Sequence, residues 1–280
     1  MKYIKDYNED LYNYIIGLRN NFNPVKRKKQ FCFLSKFYAL KEKKQKDSIY
    51  RIASEFMGIP RSDIDDIAME YLRELRDMKR CETEEDAINF WTTNLDNKWL
   101  CLNLMVQTSY NINFYRALLR SNKCTKGMSI YDYGCGCGAF AMMLNDVFSC
   151  RKLTLSDLDN YASDFIKYYI KSTNKKNIEW ENINESDKND ETYDMVICLD
   201  VLEHLEYSFS HLMKLHNRVK KDGILILGIA FEGEDSTHLP RSAEDFFLTN
   251  DGFTFLNENY ELYESIHYDI QMISGIYIKK

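Results

Sequence analysis

The period of apolar and polar positions along the chain changes near residue 120. Up to that point apolar residues recur every three or four positions, which predicts helices. One lies in residues 11–22 and ends before Pro24, and others cover residues 61–80, 84–95 and 103–120. Ser62 is followed by three acids in the next four positions, which predicts a helix start at that serine. We therefore predict an all-helical N-terminal cap over residues 1–120.

After residue 120 short apolar runs alternate with helical stretches. Strands are predicted at residues 128–134, 152–158, 177–183, 193–200 and 223–231, and helices at 139–148, 160–172 and 206–221. Such alternation is typical of a parallel sheet with helices on both faces. Two final strands, 252–266 and 267–280, leave no room for a helix between them and must be antiparallel. The prediction is a doubly wound α/β domain over residues 121–280 with a C-terminal antiparallel strand pair.

Composition narrows the class of protein. Apolar residues make up 45% and charged residues 29% of the 280 residues, as in globular proteins, and no apolar run approaches the roughly 18 residues that span a membrane. The first residues lack the pattern of a signal peptide, so the eight cysteines are expected to be reduced thiols in the cytoplasm. The net charge of −6 makes a nucleic-acid partner unexpected, because phosphate contacts dominate such binding.

The loop after the first predicted strand carries the strongest chemical signal. It holds an acid and three glycines at alternate positions, Asp132, Gly134, Gly136 and Gly138. Glycine permits positive φ and lets a ligand lie against bare backbone, while the following helix offers free N–H groups at its start. Because the glycines and Ala139 also satisfy the dinucleotide fingerprint, they leave the kind of nucleotide open.

Two acids restrict that choice. Asp157 ends the second predicted strand, where a carboxylate accepts hydrogen bonds from ribose hydroxyls. Asp132, two residues before the first glycine, can pair with a cationic ligand and would repel a pyrophosphate. The neighbouring Cys135 and Cys137 have no second cysteine or histidine cluster nearby, so no metal site is predicted.

These segments resemble the class I S-adenosylmethionine-dependent methyltransferases, especially the subgroup that includes the quinone-biosynthesis enzymes. The matching stretches are "YDYGCGCG", "LSDLD", "YDMVICLDVLEHL" and "DGILILG", followed by the closing strands, and they cover roughly residues 110–280. The resemblance implies a Rossmann-like fold, S-adenosyl-L-methionine as cofactor, and methyl transfer to an oxygen or nitrogen atom of a small-molecule metabolite.

The resemblance also implies roles for individual residues. Asp132 would lie near the amino group of the cofactor's methionine part, the loop from Gly134 to Gly138 along its amino-acid and ribose parts, and Asp157 on its ribose hydroxyls. Leu158 would pack on adenine, Asn182 and Ile183 would flank the adenine edge, and Leu199 and Asp200 would border the methyl-transfer centre. Asn182 departs from the family, which more often has an aspartate at that point.

A base that takes a proton from the acceptor speeds such transfers by about 10²–10⁴-fold. His204, after the fourth strand, and His238, after the fifth, are the candidates, although either could instead have a structural role. The cap is expected to set substrate specificity. Tyr110 is the preferred wall of an acceptor pocket among the cap aromatics, and the others, Trp91, Trp99 and Tyr115, are better explained as core.

Three alternatives stay open. The segment Lys26 to Lys46 holds nine lysines and arginines against one glutamate, so it could dock a peptide or nucleic acid, although an amphipathic helix with Phe33, Phe37 and Leu40 inward explains it better. The chain could also be a cofactor-binding regulatory subunit without activity. A nicotinamide dehydrogenase shares the glycines. The sequence leaves the oligomeric state open.

Overall fold

The computed structural model describes residues 34–76, 78, 81–93, 95–121, 123–186, 190–231, 237–266 and 273–280, with backbone only for 34–41 and 76. The helix predicted at 11–22 and most of the basic segment 26–46 lie outside the residues described with side chains. The described chain forms two compact units, residues 34–74 with 91–189 and residues 75–90 with 190–280. The domain boundary predicted at residue 120 stays a prediction.

The described residues before the first strand are largely helical. Their elements are α1 (Leu34–Met57), a 3-10 turn (Arg61–Asp63), α2 (Ile64–Arg76), α3 (Glu84–Thr93), α4 (Asn97–Met105), a π-helix (Val106–Tyr110) and α5 (Ile112–Arg120).

Two details of that region differ from prediction. Pro60 is extended and a 3-10 turn follows it, so the α-helix starts at Ile64 and the Ser62 hydroxyl donates to Asp63 at 2.7 Å instead of capping a helix. The single helix predicted over 103–120 is interrupted by the π-helix. There the Thr108 hydroxyl donates to the Leu104 carbonyl at 2.7 Å, a bond typical of bent helices.

The first unit contains three parallel strands and their helices. These are β1 (Ser129–Tyr133), α6 (Ala139–Phe148), β2 (Lys152–Asp157), α7 (Tyr161–Thr173), β3 (Ile178–Asn182) and α8 (Ile183–Ser186). Ser129 pairs with Lys152 between β1 and β2, and Leu153 with Ile178 between β2 and β3. Helix α1 covers α6 and α7: the Gln45 amide donates to the Met143 carbonyl at 3.1 Å. This packing buries the apolar faces of α6 and α7.

The second unit contains the remaining strands. They are β4 (Tyr193–Leu199), a 3-10 turn (Leu202–His204), α9 (Ser208–Arg218), β5 (Val219–Ile229), α10 (Pro240–Glu244), a second π-helix (Asp245–Thr249), α11 (Gly252–Asn259), β6 (Tyr260–Ser265) and β7 (Ile273–Lys279). Strands β4 and β5 are parallel, whereas β7 is antiparallel to both β5 and β6. The predicted C-terminal antiparallel pair is confirmed.

Two predictions in this unit were wrong in detail. Residues 252–259 form a helix instead of the first half of a strand, because the Asp251 carboxylate caps it by accepting from the Thr254 N–H at 3.0 Å. The residues after β4 form a 3-10 turn, and α9, from Ser208 to Arg218, is shorter at both ends than the helix predicted over residues 206–221.

The strand order is β3-β2-β1 in the first unit and β4-β5-β7-β6 in the second. Parallel strands that alternate with helices in both units are typical of a doubly wound sheet, which confirms the predicted Rossmann-like α/β class. Among the residues described, none of the helices combines the length and apolarity needed to cross a bilayer.

Candidate cofactor site and histidine cluster

The glycine loop is tied to the neighbouring strand by its own backbone. The N–H groups of Gly134 and Cys135 donate to the Ser156 carbonyl at 2.9 and 3.0 Å. The Gly138 N–H closes the turn onto the Cys135 carbonyl at 2.8 Å. Gly134, Gly136 and Gly138 all have positive φ, at 65°, 54° and 68°, a conformation that side-chain-bearing residues rarely adopt. The backbone conformation of the loop is therefore enough to require glycine at these three positions.

Two of these glycines also have no room for a side chain, because neighbouring atoms lie too close. A Cβ at Gly136 would lie 2.5 Å from Asn103 Oδ1 and 2.9 Å from Gln107 Nε2, and one at Gly138 would lie 2.9 Å from a Leu155 methyl group. The expectation that a ligand approaches the bare backbone is thus incomplete. At Gly136 and Gly138 the protein's own side chains already make that approach.

We predict that Gly138→Ala destabilises the fold more than Gly127→Ala. Both positions have positive φ, at 68° and 77°, but a Cβ at Gly127 meets nothing within 4 Å. Backbone strain of about 1 kcal/mol applies to both, and overpacking adds about 1–3 kcal/mol at Gly138 alone. Urea denaturation of the two variants measures the difference in free energy of unfolding. Equal losses would show that Leu155 moves aside freely.

Asp157 anchors the loop from the end of β2. Its Oδ2 accepts from the Gly136 N–H at 2.5 Å and its Oδ1 from the Leu158 N–H at 2.7 Å. Burial raises the pKa of Asp157 to about 6, and the two N–H donors oppose that rise. Burial likewise raises the pKa of Asp132, which is 5% exposed, and the charge of Asp157 adds to the effect.

These two carboxyls fit the polar groups of S-adenosylmethionine. A cationic ligand stabilises both ionised carboxylates, and each oxygen of Asp157 keeps a lone pair for a ribose hydroxyl. A pyrophosphate beside Asp132 would add like charge to a buried acid. These two carboxylates are therefore suited to a cationic nucleoside, and Asp132 is unsuited to the pyrophosphate of a dinucleotide.

The remaining predicted cofactor residues of this unit lie beside Asp157. Asn182 is the register partner of Asp157 on β3, and its side-chain oxygen accepts from the Asn184 N–H at 3.0 Å. Ile183 begins α8 directly after it, and Leu158 is half-buried. The structure thus gathers Asp157, Leu158, Asn182 and Ile183 at the ends of two adjacent parallel strands, as expected.

Two residues of this region were missed by the sequence reasoning. Asn103 and Gln107 contact the glycine loop from α4 and the π-helix, four positions apart. Their signal in the sequence is weak, because it consists of two half-buried amides within an otherwise apolar stretch. Only the tertiary structure shows which loop they meet.

Leu199 and Asp200 lie at the end of the parallel strand β4 in the second unit. Leu199 ends the strand, and Asp200 has a positive φ of 57° while its N–H donates to the Gly228 carbonyl at 2.9 Å. Strained non-glycine residues of this kind are frequent at functional sites.

His204 and His238 come together in the same unit. Their ring centroids are 4.9 Å apart. His204 Nδ1 donates to the Thr237 carbonyl at 3.1 Å, since a carbonyl can only accept. This bond assigns the proton of a neutral His204 ring to Nδ1, and Nε2 then carries the lone pair.

Glu203 completes the cluster and was not assigned a role from the sequence. The residue is fully buried, its Oε1 accepts from the Ala230 N–H at 2.9 Å, and its carbonyl accepts from the Leu239 N–H at 2.9 Å. One ligand atom each from Glu203, His204 and His238 lie within 4.8 Å of one another. A carboxylate with two imidazoles can act on a proton or bind a divalent cation.

Other candidate residues have clearer surroundings. Burial raises the pKa of Cys137 to about 12 and that of Cys135 well above its usual range, so both are thiols at neutral pH. Tyr115 is fully buried, and Trp99 is buried with its ring edge-on to Trp91, which favours core roles for Tyr115 and Trp99. Tyr110 is 48% exposed at the end of the π-helix.

A parallel sheet with a buried acid and a glycine loop at the end of its first strand and a half-buried aspartate at the end of its second is typical of a Rossmann-like nucleoside-binding domain. Residues 131–225 match the family model described as a methyltransferase domain. Residues 131–225 thus carry a methyltransferase domain, for which S-adenosyl-L-methionine is the cofactor.

Individual relatives are distant. The ubiquinone biosynthesis O-methyltransferase of Rickettsia bellii is 29% identical over 157 residues, which are 53% of this chain and 65% of that protein. The mitochondrial enzyme of the same name from Schizosaccharomyces pombe is 28% identical over 127 residues, 44% of this chain and 46% of that protein. A solved O-methyltransferase family protein from Burkholderia thailandensis is 9% identical with a TM-score of 0.46, covering 68% of this chain and 63% of that one. The matched part thus spans less than two thirds of these relatives.

Proposed function

We propose that the protein transfers the methyl group of S-adenosylmethionine to an oxygen or nitrogen atom of a small-molecule acceptor. The observation that carries the proposal is the pair of carboxyls, buried Asp132 and half-buried Asp157, at a glycine loop within the methyltransferase domain. The names of the curated relatives, ubiquinone biosynthesis O-methyltransferases, favour a small acceptor and favour oxygen as the accepting atom.

The cofactor supplies an activated methyl group on a sulfonium, so the protein's main task is to hold the two reactants in line in a dry site. Asp132 binds the amino group of the cofactor and Asp157 its ribose hydroxyls. Leu158 packs on adenine, with Asn182 and Ile183 at the adenine edge. Leu199 and Asp200 border the methyl-transfer centre, and Tyr110 contacts the acceptor.

His204 and His238 are the proposed source of the base. With its proton on Nδ1, His204 can receive a hydroxyl proton from the acceptor at Nε2 as the new oxygen–carbon bond forms. His238 lies within ring contact of His204 and is itself only 7% exposed, so it can take that role or orient His204.

The experiment that tests the function has a binding arm and a transfer arm. Calorimetry should show micromolar binding of S-adenosylmethionine and S-adenosylhomocysteine and none of NAD. Transfer of radiolabelled methyl groups should then be measured to a panel of catechols, phenols and amines, with a basic peptide and RNA as competing acceptors. Labelling of the peptide or RNA alone would contradict a small acceptor, and binding without transfer would favour a regulatory subunit.

Cofactor binding should depend on pH through Asp157. Below pH 6 the unliganded Asp157 carboxyl is largely protonated, and binding the cofactor must release that proton. We expect a nearly constant Kd between pH 7 and 8 and a Kd about tenfold weaker at pH 5 than at pH 7. Calorimetry in buffers of different ionisation enthalpy counts the protons released. A Kd that stays flat to pH 5 would contradict the role of Asp157.

The stability of the unliganded protein should change in the opposite sense. A carboxyl whose folded-state pKa lies above its ordinary value binds more protons in the folded than in the unfolded chain between about pH 4 and 6. The Asp157 contribution to the free energy of unfolding therefore falls as pH rises through that window. Asp157→Asn should remove this contribution to the slope.

A further inference from the structure

Four hydrogen bonds link Asn103 and Gln107 to each other, to the glycine loop and to the start of the helix that follows it. Asn103 Oδ1 accepts from the Cys137 N–H at 2.8 Å and from Gln107 Nε2 at 2.9 Å. Gln107 Nε2 also donates to the Cys135 carbonyl at 2.7 Å, and Gln107 Oε1 accepts from the Phe140 N–H at 3.1 Å. We call these two residues the amide clamp.

The clamp uses the N–H groups that a phosphate would otherwise bind. In dinucleotide-binding loops the pyrophosphate sits at the N-terminus of the helix after the first strand, where backbone N–H groups point outward. Here that helix is α6, which begins at Ala139, and the N–H groups of Cys137 and Phe140 lie at its start. Both already donate to neutral amide oxygens of the clamp.

The clamp also explains why Gly136 has no side chain. A Cβ there would lie within 3 Å of atoms of both clamp residues. The loop, the glycine and the two amides are therefore one packed unit, in which Gly136 also donates its N–H to Asp157. Moving the clamp would move the donor that holds one oxygen of the ribose-binding carboxylate.

We propose that Asn103 and Gln107 are positioning and specificity residues. They hold the glycine loop in its cofactor-binding conformation, and they occupy its phosphate-binding N–H groups so that a dinucleotide is excluded. This inference rests on the proposed function, because it takes the loop to be the S-adenosylmethionine site. The clamp residues act through the loop and take no part in the transfer itself.

The direction of each hydrogen bond allows a sharp test. Asn103 is used only as an acceptor in these bonds, so Asn103→Asp keeps both of them. Gln107 donates to two acceptors, so Gln107→Glu loses both donors and turns a carboxylate toward the Cys135 carbonyl and Asn103. Asn103→Leu removes the acceptor at nearly constant size. A residue that served only to fill space would tolerate all three changes alike.

The experiment is calorimetric titration of S-adenosylhomocysteine into the full chain and these variants, with thermal unfolding as a check on folding. We expect Asn103→Asp to bind within threefold of the parent, and Asn103→Leu and Gln107→Glu to bind at least tenfold more weakly. If Gln107→Glu does not fold, Gln107→Met replaces it, since it keeps the size and loses the donors. Parent-like binding by Asn103→Leu and by the Gln107 variant would overturn the positioning role.

A second titration tests the exclusion of phosphate. Inorganic pyrophosphate should not bind the parent chain, whereas Asn103→Ala/Gln107→Ala, which frees the Cys137 and Phe140 N–H groups, should bind it at millimolar concentration. No gain in the double variant would overturn the specificity role. Failure of the proposed function is distinguishable from failure of these two roles, because the parent chain itself would then not bind S-adenosylhomocysteine. The inference about the clamp would be overturned by the same result.

Discussion

Asp157→Ala is expected to weaken binding of S-adenosylmethionine about 100-fold while the chain still folds. The carboxylate is the proposed acceptor for two ribose hydroxyls, and charge-assisted hydrogen bonds contribute about 1.5 kcal/mol each, so losing two corresponds to roughly two powers of ten in Kd. The loss is enlarged by the Gly136 N–H, which then has no carboxylate to hold it. Asp157→Asn keeps one acceptor oxygen and should lose about tenfold.

Calorimetry with S-adenosylhomocysteine measures both losses, and the unfolding midpoint without cofactor checks the fold. Asp159→Ala is the matched control, because it removes the same charge two residues further on from a side chain that is 63% exposed and paired with Lys167 at 2.8 Å. We expect it to bind like the parent. Unchanged affinity in Asp157→Ala would remove the residue from the site.

His204→Ala and His238→Ala should each lower the rate of methyl transfer by about 10²–10⁴-fold, the usual contribution of a general base, with little change in cofactor affinity. The histidines belong to a cluster whose contacts lie within β4, β5 and the segments that follow them, and the cofactor carboxyls are held separately by β1 and β2. The measurement is single-turnover transfer to the best acceptor of the catechol, phenol and amine panel.

The pH dependence of the transfer rate and the effect of a chelator distinguish a general base from a cation site in this cluster. A base gives a rate that falls at acidic pH, where an imidazole is protonated, and the remaining activity of the variants should rise with pH. His211→Ala, on helix α9, is the matched control and should transfer at the parent rate. Loss of parent activity in EDTA that Mg²⁺ or Zn²⁺ restores would instead assign Glu203, His204 and His238 to a cation.

Much of the glycine-loop region was predictable because its residues are close together in sequence. Alternating glycines require a loop with positive φ, and apolar runs flanked by helical periods require parallel strands. The ends of such strands meet at one edge of a sheet, so Asp157 and Asn182 had to be neighbours, and the register confirms it. The spacing of apolar residues was less informative where a helix N-cap decided the structure. Asp251 is such a residue, and it starts a helix within a predicted strand.

The amino-acid sequence by itself determined the fold class and the cofactor and predicted the residues around it, because each follows from short-range pattern and from the chemistry of acids beside glycines. Only the tertiary structure decided which residues support them. Asn103 and Gln107 reach the loop across about 30 positions of chain. Glu203, in the turn after β4, meets Ala230 and His238 in the segment after β5. Such contacts depend on how distant elements pack, and no periodicity in the sequence records that packing.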